Sequence, residues 1–377
     1  MIALLSRGRA LGVIAVAAAL SVSLAACSRT SAAPAQSGPA SGANSSSGKV
    51  LQVTPQLVAA AEKEGSVSLL YAAPLASEQA LIKAFNAQYP NIKVVLTRNA
   101  GAPGGAKLLQ DFQAGVKNTD LFEGSDVTTT DALSQAGAFV SDIVPTDAAL
   151  YPKGYVIAPG VYAPQPETIV VAFNTKLVTD SEAAALRDWN GVLDPKWKGK
   201  LAVITPTTSA GGIPALYADS KVSPDFLTKL HAQDPKLYDG TAGGRDAIVS
   251  GQQAVVFGEF DDAMITLVKS GAPVGFVYPN PAPQFPDAFY GVLTNAPHPN
   301  AARLLWAFMT SKSTCELRQS AEINSKCELT GVSDSRAQPT GKPWYQPLGP
   351  TFIPTTTDWS TNLPALQKKF ASVMGTP

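Results

Sequence analysis

Gly65-Ser66-Val67-Ser68-Leu69-Leu70-Tyr71-Ala72-Ala73-Pro74 opens the region whose pattern decides the fold. Ser66 to Tyr71 reads as a buried strand, and Ala72-Ala73-Pro74 as the turn that ends it. Leu81, Ile82, Phe85 and Tyr89 then recur at helical spacing on one face. Pro90-Asn91 breaks that helix, and Ile92-Lys93-Val94-Val95-Leu96 is a second strand. A loop, Gly101-Ala102-Pro103-Gly104-Gly105, leads into a helix carrying Leu108, Leu109 and Phe112. Asp120-Leu121-Phe122 is a short third strand, followed by Glu123-Gly124-Ser125-Asp126. Strands alternating with helices at this spacing predict an α/β fold with parallel sheets covered on both faces.

The pattern continues downstream. Thr168 to Asn174 is a β-branched strand preceded by Ala163-Pro164-Gln165-Pro166. Lys200 to Ile204, Gln253 to Gly258 and Val274 to Tyr278 are further strands, the last running into Pro279-Asn280-Pro281-Ala282-Pro283. His298-Pro299-Asn300 opens an amphipathic helix with Leu304, Leu305, Phe308 and Met309, and a final helix lies near Leu366 to Met374. No internal repeat is evident.

Upstream of this region the chain changes character. Arg7 and Arg9 precede a small and apolar run from Ala10 to Ala26, which ends Leu24-Ala25-Ala26-Cys27. This is the pattern of a secretory signal, 1–26, and the run is slightly short of the ~20 residues a spanning helix needs. Leu-Ala-Ala-Cys resembles the lipobox of bacterial lipoproteins, which implies lipidation of Cys27; the alternative is a signal peptide with a chance cysteine. Residues 27–49 are mostly Ser, Ala, Gly, Pro and Gln and read as a flexible tether, since they cannot bury enough apolar surface to offset chain entropy. The expected location is therefore extracytoplasmic, with the membrane reached through the N-terminal lipid.

Charge is balanced, with 29 basic and 29 acidic residues, and no basic stripe with interleaved aromatics suggests nucleic acid. Of three cysteines, Cys315 and Cys327 remain once Cys27 is assigned to lipid. An even remainder in an exported protein suggests a disulfide; two unrelated buried thiols are the alternative. The length beyond the tether is about twice the usual domain size of ~150 residues, which favours two lobes.

The most specific stretch is Asp188-Trp189-Asn190-Gly191-Val192-Leu193-Asp194-Pro195-Lys196-Trp197-Lys198-Gly199-Lys200. Around it stand Ala84-Phe85 with Tyr89-Pro90, Phe173 to Leu177, Thr205 to Ser209, Gly271 to Val274 and Ala296 to Ala302. In order and spacing this set resembles the type II extracellular solute-binding lipoproteins of ABC importers, in the branch of ferric-iron, polyamine, thiamine and phosphonate binders. The resemblance implies a two-lobed periplasmic-binding-protein-like fold, each lobe a mainly parallel sheet flanked by helices, with a hinge of two crossovers near Tyr162 to Ile169 and Tyr278 to Pro283. Lobe 1 is expected over 50–165 plus 282–312, and lobe 2 over 166–281 plus part of 313–377. Trp189, Trp197 and the Asp194-Pro195 turn are read as packing elements.

In such a cleft the solute meets loops at the carboxyl ends of strands and at helix N-termini, where free N–H groups attract polar atoms. The candidate ligand-binding residues are Ser77, Ser125, Asp126, Glu167, Thr207, Thr208, Ser209, Glu259, Asp261 and Asp262. Capping is the competing role for the hydroxyls, and a solvated helix start is the competing role for Asp261 and Asp262. In the iron-binding relatives a tyrosine pair stands near Asp261 and Asp262, and an anion-contacting arginine near Glu167. The acids found here favour a cationic guest, an amine or polyamine, or a carboxylate-held metal. His231 and His298, the only two histidines, are read as structural.

These readings imply a monomeric receptor with no catalytic residues and no cofactor, which binds a small-molecule or ion solute and docks on an ABC permease. A binding lipoprotein that serves sensing without transport is the second reading. An anchored hydrolase is the third, against which stand the missing Gly-x-Ser-x-Gly elbow and His-Glu-x-x-His helix.

Overall fold

The computed structural model describes residues 48–98, 101–206, 210–352 and 362–376. The signal, Cys27 and nearly all of the tether lie outside these residues, as do Thr207, Thr208 and Ser209. Within Ser45–Pro377, a single compact unit, the buried apolar side chains divide into two main cores, each built on its own sheet.

The first sheet runs in the order Lys93–Arg98, Ser66–Tyr71, Leu121–Gly124, Phe289–Val292, Val161–Tyr162, Val156–Ala158. Its first three strands are parallel, in register from Ser66 opposite Lys93 to Tyr71 opposite Arg98. Phe289–Val292 returns antiparallel to Leu121–Gly124. The chain enters Ser66–Tyr71 through Gly65, whose φ of 69° ends the helix Pro55–Glu64 in the left-handed conformation that glycine adopts without steric cost. Helix Leu75–Gln88 buries Leu81, Ile82 and Phe85, and Phe85 meets Phe308 edge to face at 5.4 Å. Phe308 belongs to Pro299–Met309, a helix buried on most of its circumference, whose Trp306 Nε1 donates to the carbonyl of Tyr290 at 3.0 Å. His298 precedes this helix and is held by Asp120 through both its backbone N–H and its ring Nδ1, a structural role.

The second sheet runs Lys236–Tyr238, Leu201–Ile204, Val255–Phe260, Gln165–Asn174, Ala282–Asp287, Thr351–Phe352, with Val274–Val277 also paired to Gln165–Asn174. Leu201–Ile204 is wholly buried, as a strand covered on both faces requires. Both sheets are mixed: parallel strands on one side, and antiparallel returns around Phe289–Val292 and Gln165–Asn174.

The tryptophan stretch folds into short 3-10 turns rather than a helix. Asp188 and Asp194 accept from the N–H groups of Asn190 and Lys196, and Trp197 Nε1 donates to Gly191 O at 3.1 Å. Trp189 is 4 % exposed and packs on Tyr217 and Phe257.

Two local expectations change, and the disulfide expected between Cys315 and Cys327 forms. The glycine-rich stretch from Gly101 is not a loop but the start of the helix Gly101–Gln113; Pro103 falls in its first turn, where a missing N–H costs nothing. Gly105 is needed there because a Cβ would overlap Thr129 of the helix Val127–Gln135. Ala282–Asp287, which reads as a proline-rich connection, is a strand, as is Phe289–Val292. Cys315 and Cys327 are joined, with their Cα atoms 5.1 Å apart, so the disulfide is the reading the structure supports. Among the described residues no helix is long and apolar enough to cross a membrane.

Candidate functional site

Gln165–Asn174 is the longest strand, and its two ends do different work. From Val170 its side chains belong to the second core, whereas the first core ends at Ala163 and resumes at Ala288. The amino-terminal part pairs antiparallel with Ala282–Asp287, with Gln165 opposite Asp287 and Glu167 opposite Phe285. These two strands carry the chain out of the first lobe and back. A third passage follows the disulfide: Cys327 and Leu329 lie in the first core and Trp344 in the second.

Beside this hinge pair lies a cleft of about 720 Å³, walled by both lobes. Ala72, Ala73 and Ser77 come from the first lobe, Thr241, Arg245 and Asp262 from the second, and Ile323 and Ser325 from the disulfide loop. Among the predicted residues, Ser77, Ser125, Asp126, Glu167 and Asp262 line it. Ser77 sits in the first turn of Leu75–Gln88, which has no side-chain cap. Asp126 caps Val127–Gln135, accepting from Thr129 N at 2.7 Å.

Glu259 and Asp261 do not line the cleft. On an alternating strand Glu259 points away from it and accepts from Arg245 Nη2 at 3.1 Å. Asp261 accepts from Arg336 at 3.1 and 2.8 Å and from Tyr278 Oη at 3.0 Å. Such a buried carboxylate already has its counter-charge, and a solute would have to displace Arg336 to reach it.

Residues the sequence did not single out contribute more to the cleft. Glu78, Glu123 and Asp287 line it, and Glu78 and Glu123 are 0 % and 1 % exposed. Glu123 accepts from the N–H groups of Ala72 and Ala73, at the turn after the first strand. Burial, and then the charge of Glu78, hold its carboxyl well above the usual range. Burial likewise raises Glu78, and it raises Glu167 well above normal, with Asp262 and Asp287 adding like charge. Asp262 is pushed up to about 6 by burial and then by neighbouring Asp261. Like carboxylates crowded out of water resist ionising together. The signal for Glu123 was available: an acid standing directly after Leu121-Phe122 inside an otherwise apolar strand.

Arg318 also lines the cleft, and its charge opposes the upward shift of Glu78 and Asp287. It is fully buried, but its hydrogen bonds go to Gln165 Oε1 and Tyr290 Oη, each at 3.0 Å, rather than to a carboxylate. Among the described residues no three acidic, histidine or cysteine side chains converge as a metal ion requires.

Two sheeted lobes, joined by antiparallel hinge strands over a polar cleft, define a two-lobed binding protein of type II. Residues 72–314 match the family model for bacterial extracellular solute-binding proteins, more than half of the chain, and the protein belongs to that family. Solved structures agree in fold. Iron-bound HitA from Pseudomonas aeruginosa superposes with a TM-score of 0.62 at 18 % identity, covering 81 % of this chain and 99 % of that one. AfuA from Actinobacillus pleuropneumoniae, with fructose-6-phosphate bound, gives 0.63 at 16 % identity over 83 % and 99 %. A periplasmic thiamin-binding protein gives 0.64 at 14 % identity over 82 % and 96 %. A search of curated proteins finds no match. The family is one of binding proteins rather than enzymes and works outside the cytoplasm.

Proposed function

We propose that this protein is the lipid-anchored solute-binding component of an ABC-type importer, which captures a small polar solute by hinge closure and delivers it to the permease. The observation that carries this reading is the cleft beside the pair Gln165–Asn174 and Ala282–Asp287, walled by two separately cored lobes. A solute that touches both walls stabilises the closed form by its differential affinity for closed over open. In this reading the lobes divide at those hinge strands; the chain through Leu329 belongs with the first lobe, and Trp344 onward with the second. Ser77, Ser125, Asp126, Glu167 and Asp262 act as ligand-binding residues, joined by Thr207, Thr208 and Ser209. Iron or another metal, a polyamine- or thiamine-like cation, and a phosphonate are the candidate solutes; iron and thiamin are bound by proteins of this fold. The protein acts as a monomer, and lipid on Cys27 holds it to the membrane.

Two measurements test this. Detergent partitioning of the expressed protein should move from the membrane to the soluble fraction on Cys27→Ser; unchanged partitioning would remove the lipid anchor. X-ray scattering should show a smaller radius of gyration with bound solute, and an unchanged radius at saturation would remove hinge closure. Saturation at 100 times Kd adds about 2.7 kcal/mol of stability, so a thermal-shift panel finds the solute.

A further inference from the structure

Resting on that reading, we infer that the solute is a small organic cation with an apolar body, its charged end received along the acid-lined wall of Glu78, Glu123, Glu167 and Asp287 and its body laid against Ile213, Phe260 and Phe285.

The hinge pair supplies the first observation. Directly opposed residues of an antiparallel pair share a face, and so do residues two apart along a strand. Gln165, Glu167 and Ile169 therefore share a face with Phe285 and Asp287. Four of these five, Gln165, Glu167, Phe285 and Asp287, line the cleft. The floor of the cleft thus carries two acids, an amide and an aromatic ring. Glu167 and Asp287 stand at neighbouring pairs of this ladder on one face, so a carboxylate at either position meets like charge from the other.

Glu78 supplies the second observation. It is 0 % exposed, and its Oε1 accepts a long bond of 3.4 Å from Tyr290 while its Oε2 has no hydrogen-bond partner. An acid in that state costs free energy unless something joins it. Among the described residues no cation forms an ion pair with it, although the charge of Arg318 reaches it. Among the described residues, Glu78, Glu123, Glu167 and Asp287 have no ion-pair partner: Arg245 is paired with Glu259, Arg336 with Asp261 and Asp334, and Arg318 donates to Gln165 and Tyr290. Arg98 also lines the cleft but is exposed.

The third observation separates organic cations from metal ions. Among the described residues no three of these acids are grouped as a metal ion would require. Facing them, Ile169, Ile213 and Phe285, with Phe260 packed on them, form a small apolar cluster that belongs to neither lobe's core. Ile213, Phe260 and Phe285 all line the cleft, so a ligand that fills it buries apolar surface as well as charge. Phe260 offers an aromatic face to a cation or ring. An anionic phosphonate meets the wrong sign of charge along this floor.

The test is calorimetric titration of the mature protein with phenethylamine, putrescine, ferric citrate and methylphosphonate. Phenethylamine should bind at least tenfold more tightly than putrescine, and the other two should give no saturable heat. Glu78→Gln and Glu167→Gln should each weaken phenethylamine about thirtyfold or more, the usual loss when a buried charge pair is broken. Both variants should melt, without solute, no lower than the parent, because neither acid has an ion pair to lose and each is buried against neighbouring carboxyls; a merely structural acid would lower the melting point instead. Phe260→Ala should cost phenethylamine about tenfold and leave putrescine unchanged. Saturable binding of ferric citrate or methylphosphonate without the amines overturns the inference but leaves the solute-binding reading standing. Absence of binding by every probe, with no compaction by scattering, overturns both.

Discussion

Asp261 and Arg336 form a two-point ion pair out of contact with solvent, Nη1 to Oδ1 at 3.1 Å and Nη2 to Oδ2 at 2.8 Å. Arg336 lies on the third passage between the lobes and also donates to Asp334, so the pair fastens that strap to the second lobe. Breaking one side of such a pair leaves a buried charge uncompensated. Asp261→Asn should therefore cost about 3 kcal/mol in urea denaturation while solute affinity in the cleft changes less than twofold. A large affinity loss at unchanged stability would place Asp261 in the binding site after all.

The disulfide holds the base of a loop that reaches the other lobe. Cys315 and Cys327 are separated by 12 positions, and between them Asn324 Nδ2 donates to Asp262 O at 3.0 Å. Closing a loop of that length contributes about 3 kcal/mol in the chain-entropy model. Cys315→Ser with Cys327→Ser should lower the melting temperature by several degrees, and reductant should do the same to the parent but not to the double variant.

Stability without solute should fall as pH rises. Asp262 is pushed up to about 6 by burial and the charge of Asp261, with Arg336 and Arg245 opposing. Glu259 is pushed up to about 7 by burial, with Arg245 opposing. Unfolded, both groups titrate near their ordinary values of 3.8 and 4.5. The folded state thus keeps protons that the unfolded state has released. Their stabilising contribution is complete below pH 4 and lost as pH rises through 6 to 7. Melting temperature should be higher at pH 5 than at pH 8, by an amount equivalent to on the order of 4 kcal/mol. A cation received by Glu78, Glu123, Glu167 and Asp287, whose carboxyls burial also raises, should show the opposite trend and bind more tightly at pH 8.

Trp189→Ala should separate packing from binding. The ring contacts Tyr217 at 5.1 Å and Phe257 at 6.1 Å, centroid to centroid, inside the second core. Its loss should cost about 3 to 5 kcal/mol by denaturation. Solute affinity measured well below the melting temperature should be unchanged.

Much of the fold was legible because it is local. Ser66–Tyr71 forms at the predicted residues, since a turn-bounded apolar run between a glycine and a proline leaves few alternatives. The tryptophan turns were equally readable, their caps being contacts between residues two apart. Ala282–Asp287 was hidden by Pro283 and Pro286, which argue against a strand by propensity. Partners on Gln165–Asn174 and Thr351–Phe352 outweigh that propensity. In the cleft, Glu167 and Asp262 were visible as acids on expected loops and strands. Glu78 was not, because a first-turn glutamate beside Leu81 and Ile82 looks like an ordinary dipole partner.

From its letters alone, this chain determined an exported α/β protein with sheets, helices and a family likeness, because periodicity, capping and turn chemistry act over a few residues. Only the tertiary structure decided which acids face the cleft. Asp261 and Asp262 are adjacent in the chain, yet one is neutralised by Arg336, seventy-five positions away, and the other is not. Burial and counter-charge are set by residues distant in sequence, and they alone determine whether a carboxylate is free to hold a guest.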